Sequence, residues 1–149
     1  MTFVEKVNQD IAEAMKAKDQ DRLGPLRMLK AALMNKKVER GKDVTDGEAL
    51  AIVSTLVKQR KDSVEQFTNA GRQDLADKEK AEIAILEAYL PPPVSREELE
   101  KAVDEAVRTT GASSPKDMGG VMKAVMAGLA GRNADGKLIN ELVRARLSR

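Results

Sequence analysis

Apolar residues recur along most of the chain at i, i+3/i+4 and i+7, the spacing that holds them on one face of an α-helix. Val4/Val7/Ile11/Ala14/Met15, Leu99/Val103/Ala106/Val107 and Leu138/Ile139/Leu142/Val143/Leu147 are three such rows. No stretch alternates as a strand would, and twenty alanines with few adjacent β-branched residues favour helix further. The pattern predicts an all-α fold with helices at about 3–19, 22–40, 46–69, 74–90, 96–110, 115–130 and 136–148.

Local signals punctuate these helices. Thr2–Glu5, Thr45–Glu48 and Ser95–Glu98 fit the capping box, in which hydroxyl and carboxylate satisfy free N–H groups reciprocally. Ser114-Pro115 reads as an N-cap followed by proline in the first turn, and Gly41, Gly71, Gly111 and Gly131 fall where helices should end. Asp74–Lys78, Glu97–Lys101 and Asp104–Arg108 are spaced for exposed i,i+4 ion pairs. Pro91-Pro92-Pro93 cannot continue a helix. The expected organisation is therefore an N-terminal four-helix domain with long helical hairpins (1–90), a proline-rich linker (91–95) and a small C-terminal three-helix domain (96–149).

Composition narrows the chemistry. The 149 residues include no histidine, cysteine or tryptophan, and the only aromatics are Phe3, Phe67 and Tyr89. This excludes a disulfide framework, a thiol nucleophile, an imidazole base and a Cys/His zinc site. It also excludes the aromatic platforms of common single-strand RNA readers. No metal and no cofactor are expected. The net charge is only +2, but residues 112–149 carry 7 basic and 3 acidic groups, whereas residues 1–90 carry 16 of each. Met1–Gln20 lacks the features of a targeting segment, and no apolar run nears the ~20 residues needed to cross a bilayer. A cytoplasmic protein without a membrane partner is the expectation.

Several motifs imitate known sites. Gly131–Lys137 matches the first seven P-loop positions, but Leu138 replaces the magnesium-binding Ser/Thr and the stretch follows a helix. Asp19-x-Asp21 opens like an EF-hand, yet Leu23 and Lys30 occupy ligand positions. Those acids read as ending one helix and beginning the next. The acids Glu97, Glu98, Glu100, Asp104 and Glu105 read as a solvated helix face.

Lys58, Arg60 and Lys61 lie in the most polar stretch of the third helix, and the apolar stripe puts Arg60 on or beside the buried face. A hairpin through Gly71 would bring Arg60 level with Glu79 and Glu82, making either a structural ion pair or a functional cleft. Gly119 and Gly120 inside the sixth helix point to close helix approach or to backbone access for a ligand. The Met118/Met122/Met126 row reads as adaptable core or as a peptide-binding surface.

Lys58-Gln59-Arg60-Lys61-Asp62-Ser63, Ala70-Gly71-Arg72, Asp74-Leu75-Ala76, Glu79, Glu82 and Tyr89-Leu90-Pro91 resemble the YqeY family of small proteins. The likeness continues through Lys116-Asp117-Met118-Gly119, Val121-Met122, Gly131-Arg132 and Ala134-Asp135-Gly136. The resemblance implies two all-helical domains, the second similar to the tail of the GatB component of the tRNA-dependent amidotransferase, which is associated with holding tRNA. Gly120 stands where relatives usually carry lysine, and Asn133 is an extra residue in the turn.

What the resemblance implies is a non-catalytic tRNA-associated module. The basic excess of residues 112–149 and the seven-residue spacing of Lys116/Lys123 and Lys137/Arg144, with Arg132 in the turn, make these five either phosphate-contacting candidates or, with Glu141 lying between Lys137 and Arg144, an ordinary solvated face. The alternative is an adaptor for an amidotransferase or other translation proteins, without RNA contact. No amidase-type serine/lysine array or nucleotide loop supports independent amide transfer, and no catalytic residue is assigned.

Overall fold

Both threonine capping boxes form, and they set the starts of two long helices. Thr2 accepts from Glu5 N–H while Glu5 accepts from Thr2 N–H, and Thr45 and Glu48 repeat the exchange. The structure is a computed structural model describing Met1–Arg149. Its helices are α1 (Phe3–Lys16), α2 (Gln20–Arg40), α3 (Asp46–Asn69), α4 (Gln73–Glu87), α5 (Arg96–Thr110), α6 (Met118–Gly128) and α7 (Gly136–Leu147). A 3₁₀ turn at Pro115–Asp117 precedes α6. The chain divides into two units, Met1–Leu90 and Pro91–Arg149. The fold is all-α.

In the first unit, α3 and α4 form the most extensive packing, as a hairpin through Ala70–Arg72, and α1 pairs with α2. Leu29 and Leu33 of α2, Val53 and Val57 of α3, Leu86 of α4 and Val7 of α1 fill a shared core. The second unit buries Leu99 and Val103 of α5, Val121 and Val125 of α6, and Ile139 and Val143 of α7. Each of these side chains contributes about 1.5–3 kcal/mol through burial.

The α1–α2 junction differs from the expectation of a first helix running to residue 19. α1 stops at Lys16 because Asp19 leaves the helix to cap α2, accepting from Arg22 N–H at 3.2 Å. The turn places Lys18 at φ 55°, a left-handed conformation that Gly41 and Gly111 adopt at the ends of α2 and α5 without the Cβ clash. Lys18→Gly should therefore raise stability by ~0.5–1 kcal/mol, the relieved strain exceeding the added unfolded-state entropy. Chemical denaturation reads this directly, and a loss of stability would contradict it.

The third predicted capping box is half made. Ser95 accepts from Glu98 N–H, but the Glu98 carboxylate pairs with Arg132 at 2.8 Å instead of returning to the cap. At Ser114 the cap runs in reverse, with the Asp117 carboxylate accepting from the N–H groups of Ser113 and Ser114. None of the three predicted i,i+4 ion pairs forms. Asp74 takes both arms of Arg72, Asp104 pairs with Arg146 of α7, and Arg108 pairs with Glu105. Exposed pairs of a few tenths of a kcal/mol are decided by whichever cation arrives with better geometry.

The proline stretch does more than space the chain. Val94 N–H donates to Asn133 O at 2.8 Å, Asn133 Nδ2 donates to Pro91 O at 3.2 Å, and Val94 is buried in the second unit's core. The extra residue in the 131–136 turn thus anchors the start of its own unit.

Candidate functional site

Four of the basic residues predicted to contact phosphate, Lys116, Lys123, Lys137 and Arg144, are exposed and make no ion pair. Lys123 lies on the side of α6 opposite Val121 and Val125, and Lys116 stands just ahead of it on the 3₁₀ turn. Lys137 and Arg144 share the outer face of α7, opposite Ile139 and Val143. Arg132 differs, because Glu98 neutralises it at 2.8 Å.

The two glycines of α6 decide what surrounds these charges. A Cβ at Gly119 or Gly120 would meet nothing within 4 Å, and both residues are exposed. Close helix approach is therefore not their role. Lys116, Gly119, Gly120 and Lys123 form a smooth outward surface on which a ligand can reach the backbone. The methionine row does not extend this surface: Met118 and Met122 pack against the core and only Met126 is exposed.

The acids of α5 do not converge on a cation. Glu98, Glu100, Asp104 and Glu105 are each engaged by an arginine: Arg132, Arg96, Arg146 and Arg108 respectively.

On α3, Arg60 is buried as its position in the apolar stripe predicts, at 6% exposure. Its expected ion pair with Glu79 or Glu82 does not form. The guanidinium turns towards α2, with Nη1 donating to Leu56 O at 3.1 Å, Nη2 contacting Met28 Sδ and Nε lacking a partner. Glu79 and Glu82 remain half-buried, Lys58 is exposed, and Lys61 reaches Glu87 at 3.6 Å. The five residues therefore do not assemble into one polar cleft, because the guanidinium crosses to a different helix from the acids.

A polar cluster that no sequence motif announces joins α1 to Tyr89, just beyond α4. Asp10 is 7% exposed, and its carboxylate accepts from Lys6 Nζ at 2.9 Å and from the Tyr89 hydroxyl. The Tyr89 ring packs on Phe3 with centroids 5.6 Å apart. Arg22 and Glu13 line the same shallow cleft. Burial pushes the Asp10 carboxyl up, but the hydrogen bonds from Tyr89 and Lys6 outweigh it and hold the group below the usual value. Burial and then the bond to Asp10 push the Tyr89 phenol well above its ordinary range. The available signal was positional: Asp10 stands between Val7 and Ala14 on the apolar face of α1.

The profile of the family described as Yqey-like protein matches residues 4–147. "Altered inheritance of mitochondria protein 41, mitochondrial" of Pyrenophora tritici-repentis is 26% identical over 141 residues, covering 93% of this chain and 77% of that protein. The protein of the same name from Lachancea thermotolerans is 34% identical over 75% of this chain and 62% of its own length. That from Eremothecium gossypii is 38% identical over 66% of this chain and 55% of its own length. The chain thus spans only a little over half of some curated relatives. Their names overturn the expectation of a cytoplasmic location, since each is called mitochondrial. Lack of cysteine does not specify a compartment. No helix is long and apolar enough to cross a membrane.

Proposed function

The chain belongs to the YqeY-like protein family, and from that premise we propose that its second unit is a non-catalytic tRNA-binding module. The supporting observation is the open glycine surface of α6 between Lys116 and Lys123. Unpaired cations beside exposed backbone suit a phosphate chain, which needs charge and close approach more than aromatic stacking. Lys137 and Arg144 on α7 supply further phosphate contacts. Arg132 contributes least, being held by Glu98.

The test is a tRNA titration of the whole chain at about 50 and 200 mM salt. Affinity should fall steeply with salt. Combined replacement of Lys116, Lys123, Lys137 and Arg144 by alanine should weaken binding by at least tenfold and flatten the salt dependence. Gly120→Lys should tighten it. No binding near 50 mM salt, or equal binding by the alanine variant, would refute the proposal.

The adaptor reading through the methionine row has less support, because two of its three methionines are committed to the core.

A further inference from the structure

α2 buries Leu26, Leu29 and Leu33 on one side and carries a second apolar row on another. Met28, Ala31, Met34 and Val38 are all exposed and share one face over about 15 Å of helix. Met28 and Met34 are each 54% exposed and Val38 is 81% exposed. Scattered apolar residues on a surface are ordinary, but a row at helical spacing is the form that a partner helix recognises.

Two further observations specify the partner's chemistry. α2 carries six basic side chains against two acidic ones. Lys36, Lys37 and Arg40 are paired with acids, while Arg27 and Lys30 are not. At the α3 edge of the row, Arg60 is buried without a carboxylate partner, its Nε unsatisfied and its Nη2 against Met28 Sδ. A buried cation is costly unless paired, and a thioether is a weak acceptor for it. Met28 is unbranched and half exposed, so its side chain can swing aside and open the guanidinium.

We infer that this face of α2 docks an acidic amphipathic helix of a partner protein. The partner's apolar anchors cover Met28 to Val38, and one of its carboxylates takes Arg60. An RNA backbone gains nothing from methionine and valine. A second copy laid α2 against α2 would oppose two strongly basic helices. A flat anionic lipid surface would meet Arg27 and Lys30 but not a guanidinium recessed beneath Met28. The inference stands apart from the RNA reading, which concerns the other unit.

A photo-crosslinking residue at Val38 of the full chain, used in its native cells, tests this. The expected product is a partner peptide with an i, i+3/i+4 apolar row and an Asp or Glu beside it. The same peptide should be absent when the crosslinker sits at Lys80, exposed on α4. Met34→Glu and Arg60→Met should each cut the yield at least tenfold. Arg60→Met should also melt at or several degrees above the wild-type temperature, since a misfit buried charge is removed. Crosslinks to RNA, lipid, a second copy or a peptide without acids would overturn the inference. So would no product, unchanged yield in both variants, or a melting temperature several degrees lower in Arg60→Met.

Discussion

Asp10→Ala should destabilise the first unit by about 2–4 kcal/mol at pH 7. The substitution removes a nearly buried carboxylate that two donors share, and it leaves the half-buried Tyr89 hydroxyl without its acceptor. Lys6 is half exposed and returns to water, so no stranded cation adds to the loss. Tyr89→Phe should cost less, about 1–2 kcal/mol, because Asp10 then keeps Lys6.

The pH dependence follows from the direction of each shift. Asp10 is held below its unfolded value, so its contribution is fully present above the usual carboxylate pKa of about 3.9 and is lost as pH falls through the lower folded value. Tyr89 is raised, so its contribution is complete below about 10 and is lost as pH rises through the folded value. Wild type should therefore lose stability in acid more steeply than Asp10→Ala. Urea melts between about pH 2 and 5 decide the matter. Parallel acid slopes, or equal stability at pH 7, would show that the cluster carries no weight.

Leu86→Ala should cost about 2–5 kcal/mol and lower Tm by roughly 10–25 °C. Leu86 is fully buried in a core to which α1, α2 and α3 also contribute. Truncation leaves a cavity that three other helices cannot all close at once. Leu75→Ala, at a half-buried position on the same helix, provides the comparison and should cost less than half as much. A loss below ~1 kcal/mol at Leu86 would mean that α4 can be loosened without disturbing the core.

Helices, their caps and their inward faces were legible in the sequence because each depends on residues within a turn or two of one another. Thr2 and Glu5 need only their own helix to form a box, and Val53, Val57 and Arg60 fall on one face by the helical repeat alone. The sequence also set Lys116, Lys123, Lys137 and Arg144 on their helix faces, since charge and spacing on α7 and around α6 are local properties. What it could not place was the partner of any side chain that reaches beyond its own helix.

Arg60 shows this most plainly: its burial was determined by sequence spacing, but Met28 of α2 rather than Glu79 or Glu82 of α4 was selected by how three helices pack. Glu98 left a capping box for Arg132, and Asp10, set on the buried face of α1 beside Val7 and Ala14, found its hydrogen-bond donor in Tyr89, 79 residues away. Gly119 and Gly120 acquired their meaning from empty space, which has no sequence signature. Sequence by itself determined the all-α fold, the helix starts to within about three residues, and the family. Tertiary structure alone decided which polar groups are paired, which remain open and which apolar rows lack a partner, because these depend on long-range packing that no local pattern encodes.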